Sequence, residues 1–303
     1  MQINEKIKGS IFGILAAVTY GMNPLFGLPL YQRGITTASV LFYRFSFALI
    51  LLGIVMLWRK QSFKIEKRQL PMLVLNGIFL SLACLFLFLS FHHIDSGIAI
   101  TILFIYPVMI CAIMYLFFHV KQSISTLIGM FCSLGGIALL SLGNGVGSLN
   151  WTGLVFVILS ALAYAGYMVM IKVTSLKDMA NETLTFYAML FGLPLFFIAL
   201  KFGTELQKLP DLVSLGCAFG LALFPSLFSF LFTAISIKYI GPSKTAILGA
   251  LEPTTALLIG VSVFGESLKF QQVIAIVIIL VSVSLVLMGK SPSVVAPKQT
   301  TIK

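Results

Sequence analysis

The sequence predicts an all-α integral membrane protein, with ten transmembrane helices arranged as two inverted five-helix repeats around a central cavity. Three observations carry that prediction. The 303-residue chain is 59% hydrophobic and 10% charged, with a mean hydropathy of +1.07. A soluble domain carries about 25% charged residues, so most of this surface must face lipid. Apolar runs close to bilayer length recur ten times between Gly, Pro and charged residues. The first five runs are echoed by the last five at a near-constant offset.

The runs fall near 9–31, 36–58, 70–91, 96–118, 124–143, 151–172, 182–201, 213–237, 243–264 and 270–289. Only helices or closed barrels satisfy the backbone inside hydrocarbon, and these runs are too long for barrel strands. Lys6 and Lys8 before the first run imitate a signal peptide. The run exceeds the roughly 7–15 residues of such a segment and no small-residue cleavage site follows, so a retained first helix is expected. With the N-terminus inside, fifteen Lys and Arg fall in cytoplasmic segments and four on the other side, Arg33, Lys201, Lys208 and Lys269. That bias places both termini in the cytoplasm and supports an even number of spans. The expected location is the cytoplasmic (inner) membrane of a bacterium.

The repeat is seen in SIFGILAAVTY at 10–20 against LVFVILSALAY at 154–164, and in Phe42-Tyr43 against Phe186-Tyr187, both 144 positions apart. Later pairs, Ile94 with Ile240, Pro107 with Pro253 and Gly143 with Gly289, are 146 apart. Five spans per half is an odd number, so the second half enters the membrane upside down, the arrangement in which transporters hold substrate near the midplane. The expected units are 1–148, 149–290 and a disordered cytoplasmic tail at 291–303.

Several function classes lose support. The net charge of +11 is spread through loops and forms no patch for nucleic acid. Cys84, Cys111, Cys132 and Cys217 lie in apolar runs without CxxC spacing and read as small buried hydrophobes. His92, His93 and Asp95 make a poor metal set, because adjacent helical histidines point apart. GNGVG at 143–147 has no P-loop lysine. No cofactor, no metal and no enzymatic chemistry are expected, since one deep acid and no deep histidine do not assemble a catalytic cluster.

That deep acid is Glu252, about ten residues into its span. A charge there costs roughly 2.5–3.5 kcal/mol on insertion scales. It must face a polar cavity, pair with a cation or carry a proton; otherwise it is a structural acid bonded to a neighbouring helix. Pro253 beside it removes a backbone donor and points to a locally broken helix. Arg44 is the other deep charge, read either as a snorkelling structural group or as the partner of an anionic substrate group. Glu266, beside Lys269, reads as an interhelical or solvated acid. Tyr20 and Asn23 share a helix face, Tyr164 and Tyr167 repeat that face in the second half, and Thr255 shares one with Glu252. Tyr106 occupies the position equivalent to Glu252. The candidate substrate site is therefore Tyr20, Asn23, Arg44, Tyr106, Tyr164, Tyr167, Glu252 and Thr255, an aromatic pocket suited to amino acids or quaternary amines. Small residues at Gly9, Gly13, Ala17 and Gly21, at Gly129, Ser133 and Gly136, and at Gly153, Ala161 and Ala165 predict close helix packing.

FYRFSFAL at 42–49, IDSGIAITILFIYPV at 94–108 and IGPSKTAILGALEPTTALLIGVSVFGESL at 240–268 resemble the drug/metabolite transporter superfamily, specifically its EamA-like branch. The chain departs from that pattern at His119 and Val120, where a Glu is common. The resemblance covers about residues 8–290 and implies a secondary transporter of a small metabolite working by alternating access. It makes amino-acid export the leading expectation and uptake of a cationic or quaternary amine the alternative, with a membrane-embedded enzyme or scaffold as a remote third. Expected partners are the substrate, the lipid bilayer and a proton or counter-substrate, in a monomer or homodimer.

Overall fold

The structure, a computed structural model, describes residues 2–90, 93–94, 96–142, 150–265, 269–289 and 293–294. Glu266, His92, Asp95 and the glycine run at 143–147 lie outside the described residues. The first run is two helices, α1 (Gln2–Gly21) and α2 (Asn23–Gln32), because Pro24 starts a new first turn where its missing N–H costs nothing. α3 (Thr37–Trp58) and α4 (Leu70–Ser90) follow. The fourth run is also divided, into α5 (Ser96–Leu103) and α6 (Tyr106–Leu116), again with a proline, Pro107, in the new first turn. α7 (Ile124–Leu142) completes the first half.

The second half repeats this plan. α8 (Trp151–Val173) and α9 (Asn181–Ala199) are continuous. The eighth run is α10 (Leu212–Leu221), a π-helix at Ala222–Phe228, and α11 (Ser229–Ile240). Pro225 lies inside the π-helix, where a wider turn accommodates the ring and the lost donor. The ninth run divides into α12 (Pro242–Leu248) and α13 (Leu251–Phe264), and α14 (Phe270–Met288) closes the bundle. Eight stretches are long and apolar enough to cross a membrane, and the shorter apolar helices Tyr106–Leu116 and Ile124–Leu139 account for the other two expected runs.

The duplication extends to helix ends. α5 and α12 begin at Ser96 and Pro242, and α7 and α14 begin at Ile124 and Phe270, both pairs 146 positions apart. The start of α1 and the end of α14 meet on one face, where the Lys6 ammonium donates to the Gly289 carbonyl at 2.9 Å and Lys244 to the same oxygen at 2.7 Å. On the opposite face Arg33 pairs with Asp211 at 3.1 Å. Of the expected tail, Ser293–Val294 pairs antiparallel with Val120–Lys121, and the remainder of 291–303 lies outside the described residues.

Glycines bring the helices together. A Cβ on Gly9 would stand 2.6 Å from Tyr239 Cβ, and one on Gly13 2.5 Å from Leu248 Cδ1, so α1 lies flush against the second half. Gly129 and Gly136 do the same between α7 and α14, where a Cβ would meet Val286 at 2.7 Å and Ile279 at 2.8 Å. The core between the halves is aromatic: the Phe45 ring is 4.8 Å from Phe196 and 5.9 Å from Phe230.

Candidate functional site

The two helix breaks lie side by side. Tyr106 opens α6 and Glu252 stands in the first turn of α13, at equivalent positions of the two halves. Between them is a small, partly open cavity, lined by Tyr106, Tyr164, Met168, Thr233, Thr245 and Glu252. Gly13, Ala16, Ala17 and Gly249 supply the close backbone walls. The open space is about 10 Å3, on the order of one water molecule. In this conformation a metabolite enters only if the helices part.

The electrostatics of the cavity are one-sided. Glu252 contributes the carboxyl, and no Lys, Arg or His is among the lining residues. Its side chain makes no ion pair with the described residues. Around it stand hydroxyls and ring faces. Tyr106 donates to the Ala246 carbonyl at 3.1 Å, which also accepts from the Gly249 N–H at 3.1 Å where α12 ends. Tyr164 packs edge-on to Tyr106 at 4.9 Å and stacks on Tyr167 at 5.8 Å. Thr245 shares a hydrogen bond with Ser236 at 2.9 Å and donates to the Gly241 carbonyl at 2.9 Å.

Arg44 belongs to a different constellation. Its Nη1 donates to Asn23 Oδ1 at 3.0 Å, its Nη2 to the Pro225 carbonyl at 3.0 Å, and its Nε to Ser226 Oγ at 2.5 Å. The guanidinium lies 5.4 Å from the Tyr20 ring centroid and 5.7 Å from that of Phe230. Ser226 in turn donates to Leu221 O at 3.0 Å, five residues back along the π-helix. A π-turn misaligns backbone carbonyls, and Arg44 supplies the donor for one of them.

Three of the eight expected residues, Tyr106, Tyr164 and Glu252, therefore line the cavity. Tyr20 and Asn23 sit with Arg44 beside it. Tyr167 is buried behind Tyr164, and its backbone carbonyl accepts from Asn76 at 3.0 Å. Thr255 donates to Leu251 O at 2.9 Å and abuts Gly21, where a Cβ would fall 2.6 Å from its own Cβ. Of the lining residues not expected from sequence, Met168 and Thr245 could have been found. Met168 is one turn after Tyr164, and Thr245 is seven residues before Glu252. Thr233 carries no such signal. Among the described residues no group of His, Cys, Asp and Glu is placed to hold a metal.

Comparison with known proteins gives one consistent answer. The profile of the EamA-like transporter family matches residues 7–142 and again residues 151–288. The chain is 25% identical over 211 residues to the uncharacterized inner membrane transporter YedA of Escherichia coli strain K12, covering 68% of each. It is 24% identical over 287 residues to the uncharacterized transporter YcbK of Bacillus subtilis strain 168, covering 90% of each. An uncharacterized transporter of Archaeoglobus fulgidus is 31% identical over 135 residues, 43% of this chain and 46% of that one. A solved crystal structure superposes with a TM-score of 0.81 at 14% identity, covering 91% of this chain and 95% of that one, and so shares the fold.

Proposed function

The chain belongs to the EamA-like transporter family and is an integral inner-membrane protein, and from that premise we propose that it carries a small amine-bearing metabolite across the membrane by alternating access. The observation that carries this reading is the Glu252 carboxyl, which opens into a narrow cavity between the halves with tyrosines and threonines around it and no Lys, Arg or His among the lining residues. A half-buried carboxyl at membrane depth with no cation beside it is held by a proton or by a cation that replaces the proton. A positively charged amine satisfies it, and the faces of Tyr106 and Tyr164 favour such a cation through ring electrostatics. Binding of the amine and binding of a proton then compete for one oxygen pair, which couples the two fluxes.

Amino-acid export, the first expectation from the sequence, needs a partner for a carboxylate as well. Arg44 is the residue expected to provide it, and it lies outside the cavity lining, with three of its five N–H donors on Asn23, Pro225 and Ser226. The amine-only substrate is therefore the preferred reading. The units 1–148 and 149–290 are proposed as the bodies that move against one another, with both termini in the cytoplasm, as the Lys and Arg distribution favours. No reaction step is assigned to the protein, which is read as a carrier and not as an enzyme.

The test is competition in proteoliposomes. Choline and related quaternary amines are expected to compete with labelled amine uptake, with neutral amino acids inert. Competition by neutral amino acids alone would return amino-acid export to first place.

A further inference from the structure

The two halves are tied together twice, once on each face, by the same hydrogen bond. In α3 the Tyr43 hydroxyl donates to the Gln207 carbonyl at 2.8 Å, in the loop between α9 and α10. In α9 the Tyr187 hydroxyl donates to the Phe63 carbonyl at 2.8 Å, in the loop between α3 and α4. The donors are 144 positions apart, and so are the acceptors. One bond is thus the image of the other under the repeat. Because the second half is inverted, the images lie on opposite faces.

The neighbouring contacts follow the same relation. Ser39 Oγ accepts from the Gln207 N–H at 3.1 Å, and Thr183, 144 positions after Ser39, donates to the Ser62 carbonyl at 3.2 Å. Ion pairs flank the two clasps, Arg33 with Asp211 on one face and Arg59 with Glu182 at 3.9 Å on the other.

Two features distinguish these bonds from simple loop anchors. Each joins a helix of one half to a loop of the other, so neither survives separation of the halves at its face. Each acceptor is a loop carbonyl that water can solvate once the loop lifts, so release exchanges one hydrogen bond for another at small net cost. Both are formed here, in a structure whose cavity has room for about one water molecule. The geometry points to Tyr43 and Tyr187 as the latches of two gates, one per face, of which only one releases at a time. This assignment rests on the alternating-access reading above.

The experiment uses the full-length protein in nanodiscs with spin labels and no substrate. One pair, at Gln32 and Lys208, reports the face of Arg33; the other, at Lys67 and Lys177, reports the face of Lys6 and Gly289. All four positions are exposed. Tyr43→Phe is expected to raise the open fraction at the first pair by roughly five-fold, the worth of one hydrogen bond, and to leave the second unchanged. Tyr187→Phe is expected to do the reverse. Unchanged distances in both variants, or loosening of both faces in each, would overturn the assignment. Ser39→Ala and Thr183→Ala loosen the same clasps from neighbouring positions and repeat the test if a phenylalanine variant does not fold. Single-face responses without amine transport would leave the latches standing and sink only the substrate reading.

Discussion

Tyr106 and Glu252 occupy equivalent positions in the two repeats and converge on one residue, Gly249. A Cβ built there would lie 2.3 Å from the Tyr106 hydroxyl oxygen and 3.3 Å from Glu252 Oε1. The duplicated helix breaks bring these side chains together. Each ends a helix just before its proline, so Tyr106 and Glu252 both sit in a fresh first turn that faces the other half.

Gly249→Ala should therefore displace the Tyr106 hydroxyl and fill the cavity. The Cβ would also lie 2.9 Å from the Ala246 carbonyl, which backbone cannot yield easily. We expect a loss of about 1–3 kcal/mol in folding stability from overpacking, read as a lower melting temperature, together with loss of transport.

Glu252→Gln keeps the size of the side chain and removes its charge. A hydrogen bond to a charged group contributes about 1.5–3 kcal/mol, so amine affinity should fall on the order of 10- to 100-fold. The pH dependence of transport should flatten with it, since no other carboxyl lines the cavity. Flux assays across a pH series in proteoliposomes check both outcomes.

Arg44→Lys retains the charge but cannot reach Asn23, the Pro225 carbonyl and Ser226 at once. It should lower stability by about 1.5–3 kcal/mol, because a buried π-helix carbonyl loses its donor. Amine affinity of the folded variant should be unchanged, as Arg44 does not line the cavity. Titration of ligand against the purified variant separates the two effects.

The Asp211 carboxyl is held below its usual range, first by the Ser214 backbone N–H at 2.6 Å and also by Arg33 at 3.1 Å. A depressed folded value means that the stabilisation is complete above the ordinary carboxylate range and is lost as pH falls through the lowered value. The Arg33 face should therefore loosen at acid pH in the wild type. Asp211→Asn should remove that acid dependence, which distance measurements between Gln32 and Lys208 can follow.

Much of this architecture was legible in the chain because lipid restricts the choices. Apolar runs must be helices, and Pro107 and Pro253 at a fixed offset mark equivalent turns. The break beside Glu252 was expected; its twin before Tyr106 was not, although the same offset predicts it. The π-helix at Ala222–Phe228 had no visible signal beyond Pro225, and its partner Arg44 lies 182 positions from Ser226. Periodicity puts Tyr20 and Asn23 on one face and Thr255 on the face of Glu252. It does not say how far each helix is rotated toward the cavity, which depends on Gly21 and Gly249 letting backbones close up. Tyr106 and Tyr164 accordingly line the cavity, and Arg44 and Asn23 stand outside its lining.

The most direct test of an amine site at Glu252 is thermal stabilisation by choline and related quaternary amines, measured on the purified wild type and on Glu252→Gln. Bound ligand raises stability with occupancy. The account predicts a concentration-dependent rise in the wild type that needs on the order of ten-fold more amine in the variant, the loss of one ionic attraction of roughly 1–4 kcal/mol. Equal stabilisation of both proteins, or stabilisation by neutral amino acids and by no amine, would contradict it.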